Sequence, residues 1–487
     1  MSLSTAFNIA GRSLRSTSYQ TQIVSRNVSE AGNPDYNRRI AVLSSSAPGS
    51  NVLTIQRAAN SSLFRANLAA VSSYEAQASL RTGIESLTQS VNGVDNATSV
   101  ATAIGSLYDA LQIYSANPAN ASIAERAIDA ARQVVRSLNT GSAAINASRA
   151  DADRQIDGAV DELNKMLADF KVANDDVIAG TIAGRDVSDP LDKRDALLQR
   201  IAEYVPISTI SRSNNDLVIT TTSGTTLFET LPREVTFDAS MAYTAGSSGP
   251  QVYVDGVPLP IGTGGDTGSS GRLAGLIQLR DQVAPMLQTQ LDEVARGMIE
   301  AFAEIDRSGG GGPPLAGLFS WSGGPALPTA GTLSSGLAAR IIINPAMDSS
   351  LGGNASVLRD GGANGANYVA NTGGGASYAD LLIAFQARLD QPIAFDPAAG
   401  AGASASVMAY STNSISWLES VRKKADEARL SREALVMRTS EALSNETGVN
   451  MDQEMALLLE LEQSYQASSR IIQAVDEMFA ALFQAAG

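Results

Sequence analysis

The chain has 487 residues, of which 44% are hydrophobic and 17% charged, with a formal net charge of −15. This length exceeds one compact core, so we expect roughly two to four domains. The chain contains neither histidine nor cysteine, which excludes disulfides, the usual zinc sites and the commonest general base. Nucleic-acid binding is also disfavoured, because no Lys- or Arg-rich run offsets the negative charge.

The first predicted element is an amphipathic helix over residues 3–31. Apolar or small side chains recur every three or four residues and so share one stripe: Leu3, Phe7, Ala10, Leu14, Thr17, Thr21, Val24, Val28 and Ala31. The helix should end at Gly32-Asn33-Pro34, because proline cannot continue a helix. No signal-peptide pattern or membrane-spanning apolar run is present, so we expect a cytoplasmic location or export without a cleaved signal.

The middle of the chain changes character twice. Residues 61–205 and 404–445 are rich in Ala, Leu, Gln, Arg and Glu, which predicts long helices, with short loops at Asn117-Pro118 and at 180–190. Residues 206–262 alternate β-branched side chains and contain the hairpin signal Asp255-Gly256, which predicts a β-rich insertion. The glycine-rich stretches 308–331 and 352–376 are expected to be loops or linkers, and 262–268 a turn.

A second amphipathic helix is predicted at the C-terminus. Asn450, followed by Gln453, forms a plausible capping box at its start. Its apolar stripe again has three- and four-residue spacing: Leu458, Leu461, Tyr465, Ser468, Ile472, Val475, Phe479, Leu482 and Ala486.

The charges of the two terminal segments are opposite. Residues 1–40 carry five arginines against Glu30 and Asp35, whereas residues 441–487 carry eight acidic groups against Arg470 alone. Either stripe alone could be the core face of an ordinary helix. Matched stripes with complementary charge favour a coiled-coil-like pair formed by the two termini.

Several motifs resemble the bacterial flagellar axial family of rod, hook and hook-associated proteins. Gly32-Asn33-Pro34-Asp35-Tyr36-Asn37-Arg38 is similar to the family motif that follows the first helix, with Asn27 preceding it and with Asp35 and Asn37 in place of glycine and serine. Residues 444–454 (SNETGVNMDQE) and 461–468 (LEQSYQAS) resemble the family's C-terminal signature. Residues 191–198 (LDKRDALL) and 271–281 (GRLAGLIQLRD) are similar to segments of the hook-associated protein 1 branch.

This resemblance implies a mainly helical fold with an outward β-rich insertion and paired terminal helices. The expected domains are the terminal axial helices, 1–60 and 440–487, disordered in the free subunit; a discontinuous helical domain, 61–205, 272–308 and 336–439; a β-rich insertion, 206–271; and a glycine- and proline-rich loop, 309–335.

The resemblance also implies a structural role without chemistry, in a subunit secreted through the flagellar export channel that joins hook to filament. The expected partners are copies of this chain, the hook protein, the second junction protein, and an export chaperone on the C-terminal helix, with no cofactor or metal. The expected assembly interface comprises Leu3, Phe7, Leu14, Val24, Asn27, Val28, Pro34, Tyr36, Arg38, Leu458, Leu461, Tyr465, Ile472, Val475, Phe479 and Leu482.

The sequence is also compatible with three alternative functions. Another axial subunit, such as a hook or distal rod protein, would share both terminal signatures, although hook-type chains are mostly β between their termini. A flagellin-like subunit would lack the Asn-Pro-Asp-Tyr turn. A secreted enzyme could use paired carboxylates, such as Asp151 with Asp153 or Asp175 with Asp176, but no nucleophile or base accompanies them. The Arg-Asp pairs at 194–195 and 280–281 are either solvated surface dipeptides or contacts that hold the helical domain together.

Overall fold

The structure is a computed structural model that describes residues 3–45, 50–259 and 270–486. The fold is 64% helical with small β sheets, and the terminal helices are in contact. These features confirm the predicted fold class. The turn predicted at 262–268 lies outside the described residues.

The helices and short strands alternate irregularly along the chain. The helices are α1 Leu3–Ser29, α2 Ser61–Asn92, α3 Val100–Ala116, α4 Ala121–Ile182, α5 Ser188–Tyr204, α6 Arg272–Gln278, α7 Ala284–Ala301, α8 Leu337–Arg340, α9 Val357–Asp360, α10 Asp380–Asp390, α11 Val407–Thr447 and α12 Met451–Ala486. The strands are β1 Arg39–Ser45, β2 Ser50–Arg57, β3 Ile207–Ser211, β4 Leu217–Thr221, β5 Thr226–Phe228, β6 Val235–Thr236, β7 Tyr253–Val254, β8 Val257–Pro258, β9 Phe319–Trp321, β10 Ile341–Ile343, β11 Ile393–Ala394 and β12 Ser404–Ala405.

The 62-residue helix α4 is the longest element of the helical part. Asn120 caps its start by accepting hydrogen bonds from the amides of Ser122 and Ile123, which satisfies donors that the helix itself cannot pair. Its first half shares a hydrophobic cluster with α3, α7, α10 and α11, and its second half shares another with α5, α6 and the β insertion. One continuous helix therefore joins the two cores.

The helices α2 and α11 pack against each other and run antiparallel. Asn67 Nδ2 donates to Thr439 Oγ1 at 3.2 Å, and further along α2, Arg81 Nε lies 3.6 Å from Asp426 Oδ1. Since the later residue of α2 meets the earlier residue of α11, the chain goes out along α2 and returns along α11. Both connections to the terminal helices thus lie at the same end.

The β insertion contains two three-stranded antiparallel sheets, β3-β4-β5 and β6-β7-β8. Asp255 and Gly256 connect β7 to β8 with φ of 49° and 75°, the positive values that a two-residue hairpin turn requires. Ile219 and Phe228 are fully buried and belong to the cluster that contains α5 and α6. The sheets therefore complete a shared core.

The glycine-rich stretches differ from the plain loops that the sequence predicted. Strand β9 lies within 309–335 and pairs with β10, which follows that segment, and Ala316, Leu318 and Phe319 are fully buried. The apolar run around Phe319 is only a few residues long between glycines. Hydrophobic periodicity therefore could not distinguish a strand from a loop there. This segment is therefore part of the main core.

Buried acids of α7 and of the segment after it bind backbone amides next to and within these stretches. Asp292 accepts hydrogen bonds from the amides of Gly336 at 2.7 Å and Ala338 at 2.8 Å. Glu304 accepts from the amides of Ala363 and Asn364, both at 3.0 Å. Burial raises the pKa of Asp292 to about 6, although these bonds oppose the shift. These backbone amides thus find acceptors on α7 and on the segment that directly follows it.

Candidate functional site

The terminal helices α1 and α12 pack along one seam. Buried side chains repeat every seven residues on α12, at Glu454, Leu461, Ser468 and Val475. The same interval separates the buried side chains Ala10, Thr17 and Val24 on α1. A seven-residue repeat keeps one stripe facing a partner helix, and the predicted coiled-coil-like pairing is confirmed.

Two polar contacts fix the direction and register of this pair. Ser13 Oγ lies 2.9 Å from Ser468 Oγ, and Asn27 Nδ2 donates to Glu454 Oε2 at 3.0 Å. Because the later residue of α1 meets the earlier residue of α12, the helices are antiparallel. The contacts are separated by the same number of residues on both helices, so the register is constant between them.

The residues predicted for the assembly interface fall into three groups of exposure. Buried are Val24, Asn27, Tyr36, Leu461 and Val475. Half-buried are Leu3, Leu14, Val28, Arg38, Leu458, Ile472 and Phe479. Exposed are Phe7, Pro34, Tyr465 and Leu482. The stripe read from the sequence is therefore rotated slightly from the seam, and part of it faces outward.

At the base of the pair, a polar group that we call the elbow cluster comprises Asn27, Tyr36, Arg38, Arg39 and Glu454. Asn27 uses its whole amide: Nδ2 donates to Glu454 and to the Arg39 carbonyl at 3.0 Å, and Oδ1 accepts from the Tyr36 hydroxyl at 2.7 Å and the Arg39 amide at 3.0 Å. Burial raises the pKa of Tyr36 to about 12. A buried amide with all of its hydrogen bonds made specifies one local arrangement of the groups around it.

The same cluster ties the beginning of the chain to its end. Arg38 Nε donates to Glu454 Oε1 at 2.6 Å, and the Arg38 amide donates to the Thr447 carbonyl at 2.8 Å. Asn450 accepts hydrogen bonds from the amides of Asp452 and Gln453, which confirms its predicted role as the cap of α12. The motif after α1 therefore contacts the chain on both sides of the junction between α11 and α12.

Helix α5 connects the elbow cluster to the helical part. Asp192 accepts hydrogen bonds from Arg39 Nη2 and, at 2.8 Å, from Asn37 Nδ2. Arg57, at the end of the hairpin, forms ion pairs with Asp192 and Asp195. Asp189 pairs with both Arg26 and Arg39, which lowers the pKa of Asp189 although its burial opposes this.

Sequence reasoning missed Arg39, Glu454 and the acids of α5 as parts of this site. A usable signal existed, because LDKRDALL was singled out and its Arg-Asp pair lies beside Asp192. Arg194 is itself buried and donates to the Asn174 side chain at 3.2 Å. The interpretation of this pair as a solvated dipeptide is therefore wrong.

The second Arg-Asp pair is also internal. Arg280 is only 1% exposed and lies in a π-helical segment between α6 and α7. It donates to Asp153 at 2.7 Å and to Asp281 at 2.6 Å. Asp153, a candidate catalytic carboxylate in the enzyme alternative, is thus the buried partner of an arginine, whereas its neighbour Asp151 pairs with Arg154 near the surface.

A cleft of about 590 Å³ lies beside the elbow cluster, between the 30–37 loop, α5 and the end of α11. Its lining is rich in polar and charged side chains, including Asp195 and Arg65. In the described ranges, no group of acidic side chains is placed to hold a metal ion. No helix in that part of the chain is long and apolar enough to cross a membrane.

Comparisons with known proteins agree with this architecture. Residues 80–313 match the family described as the flagellar hook-associated protein FlgK helical domain, and residues 442–485 match the flagellar basal body rod FlgEFG protein C-terminal family. Together the matches cover more than half of the chain. The chain belongs to the FlgK family of flagellar hook-associated proteins.

A solved structure supports the fold independently. The flagellar hook junction protein FlgK from Burkholderia pseudomallei is similar with a TM-score of 0.56 and 14% identity, over 78% of this chain and 99% of that one. No curated protein sequence matches the chain. FlgK-family proteins are structural, so this chain is a non-enzymatic hook–filament junction protein of the extracellular flagellum. The enzyme alternative is thereby set aside.

Proposed function

We propose that the chain assembles into the hook–filament junction through its paired terminal helices, with the elbow cluster fixing how that pair meets the rest of the subunit. The observation that carries this proposal is the antiparallel α1–α12 seam, which buries Leu461 and Val475 yet leaves apolar side chains uncovered on both helices. Phe7 is 41% exposed, Leu459 58% and Phe483 73%. Large exposed apolar surfaces of this kind mark protein interaction sites.

The interface comprises the residues predicted from the sequence, now in two roles. The buried members hold α1 against α12 within the subunit, and the exposed members, Phe7, Pro34, Tyr465 and Leu482, face neighbouring subunits. A helix pair with one narrow seam buries too little surface for independent stability. In the free subunit, the parts of α1 and α12 farther from the elbow cluster are therefore disordered, and they become ordered on assembly.

The domain organisation follows the same logic. Segments 1–60 and 440–487 form the axial part that lines the inner tube. Segments 61–205, 272–308 and 336–439 form the helical domain, with 309–335 built onto it, and 206–271 is the outward insertion. The α2–α11 pair supports this division, since it leads from the helical core to the elbow cluster.

The partners of the assembled subunit are further copies of itself, the hook protein on one side and the second junction protein on the other. Before assembly, the chain passes through the flagellar export channel, and an export chaperone covers the apolar stripe of α12 in a helix-in-groove contact. Exposed Leu459, Ile471 and Met478 are the side chains available to such a groove.

The test uses cells that lack this chain and produce a variant instead. Val475→Asp places a carboxylate in the seam, where Val475 is 2% exposed, and should give bare hooks with filament protein shed into the medium. Val172→Asp is the matched control, because Val172 is 56% exposed on α4. Hooks capped normally by Val475→Asp would overturn the proposal.

A further inference from the structure

The opposite charges of α1 and α12 are not used within the helix pair. Arg26 pairs with Asp189 of α5, and Arg38 pairs with Glu454, both at the elbow end. Among the residues that the structure describes, no ion pair joins α1 to α12 along the rest of the seam. The complementarity that the sequence suggested for the pair therefore remains unmatched inside one subunit.

The unmatched charges point outward. Arg15 is exposed and lies at helical spacing from Tyr19 and Arg26, on the face of α1 opposite the seam. Tyr19 on this face is 43% exposed. Arg12 is half-buried beside them, and no acidic residue lies within α1. We call Arg12, Arg15 and Tyr19 the basic face.

On α12 the exposed charges are mostly of the opposite sign. Acidic side chains at Glu462, Asp476 and Glu477 are exposed and lie on one side of α12 at helical spacing. Exposed Glu460 lies on the other side, and Arg470 is the single base of the helix. Exposed apolar side chains lie among them, including Leu459 and Met478. We call Glu462, Asp476 and Glu477 the acidic face.

We propose that the basic face of one subunit binds the acidic face of a second copy of this chain. A contact between two different patches on identical subunits is heterologous, and repeated contacts of that kind generate rings or helical arrays. Complementary potentials select the partner and the register, while the exposed apolar side chains supply buried area. This inference rests on the proposed assembly through the terminal helices and identifies which faces meet.

A second copy of this chain can bind both the basic face and the acidic face. A chaperone bound to α12 cannot, because it would leave the arginines of α1 unmatched. In the antiparallel pair, each subunit presents a basic face on one helix and an acidic face on the other. A row of identical subunits therefore satisfies both, except at its ends.

The test uses full-length variants in cells that lack the chain. One variant reverses the basic face with Arg12→Glu and Arg15→Glu, and the other reverses the acidic face with Glu462→Arg and Glu477→Arg. Each alone should lower the number of capped hooks about tenfold or more, because like charges would then face each other. Arg154→Glu on α4, exposed and outside both faces, is the control and should cap hooks normally.

Production of both variants in the same cell distinguishes contacts between subunits from contacts within one. Alternating copies would again join opposite charges, so capped hooks should return. All four changes in one chain should also restore capping. Rescue by the single chain but not by the mixture would overturn the inference, because the charges would then act within one subunit.

Export is monitored by assaying each variant in the medium, and folding by circular dichroism of the purified chain. Normal capping by either single-face variant would also contradict the inference. If Val475→Asp still fails to cap hooks in that case, assembly through the terminal helices stands without this charge pairing. If Val475→Asp also caps hooks, the proposed function fails too.

Discussion

Asn27 and Glu454 lie 427 positions apart in the chain, yet Asn27 Nδ2 donates to Glu454 Oε2 at 3.0 Å. Both side chains are almost completely buried. Glu454 is held on its other oxygen by Arg38, so the carboxylate is compensated on both sides. This contact joins the first helix, the motif after it and the first turn of the last helix.

Asn27→Ala should loosen the elbow cluster locally. The Tyr36 hydroxyl, the Arg39 amide and Glu454 would each lose a partner, and an unsatisfied buried group costs about 1–3 kcal/mol. Hydrogen exchange at the Arg38 and Arg39 amides should therefore accelerate roughly tenfold to a hundredfold. Asn8→Ala, at an exposed position of α1, is the control. Equal exchange in both variants would show that the Asn27 bonds do not hold this site.

Free and assembled subunits should differ in the protection of their terminal helices. In the purified chain, amides in the parts of α1 and α12 farther from the elbow cluster should exchange far faster than those of α4, whose buried face is packed. After assembly on hooks, both terminal helices should become protected. Strong protection of α12 in the free chain would contradict folding on assembly.

Asp153→Ala should destabilise the helical part strongly. Arg280 would remain buried without its inward partner, and breaking a buried ion pair costs roughly 3–5 kcal/mol. Asp151→Ala, two residues away at an exposed pair with Arg154, should change the free energy of unfolding by less than about 0.5 kcal/mol. Urea denaturation of the full chain measures both, and similar losses would refute a special role for Asp153.

Asp292 should give the stability a distinct pH dependence. Its folded pKa is raised to about 6 from an ordinary 3.8, so its contribution is fully present below about pH 4 and is lost as pH rises through 6. The loss is at most roughly 3 kcal/mol. Asp292→Asn should remove this slope between pH 4 and 6 in urea denaturation. An unchanged slope would assign the pH dependence to other groups.

The terminal helices could be predicted well because periodicity and capping are local properties of the sequence. The three- and four-residue spacing located α1 and α12, and Asn450 marked the start of α12. The spacing could not locate the seam accurately, because apolar side chains lie on more than one face of α12: Leu461 is buried, whereas Tyr465 and Leu482 are exposed.

The elbow cluster could be predicted only in part, because its contacts join residues hundreds of positions apart. The family motif indicated Asn27, Tyr36 and Arg38, but the partners Arg39, Asp192 and Glu454 look like ordinary surface charges in the sequence. Likewise, Asp292 and Arg280 are charged and so look like surface residues in the sequence, yet both are buried. Their burial depends on loops whose amides need acceptors, which no local pattern reveals.

The most direct test of the central claim is a disulfide between the terminal helices of one chain in assembled junctions. Ser13→Cys with Ser468→Cys introduces the only two thiols into a cysteine-free chain, at positions whose hydroxyls lie 2.9 Å apart. Mild oxidation of isolated capped hooks should form this bond within single subunits, whereas Ser4→Cys with Ser468→Cys should not. Failure of the first pair to cross-link, or cross-linking only between different subunits, would contradict an antiparallel α1–α12 pair as the assembling unit.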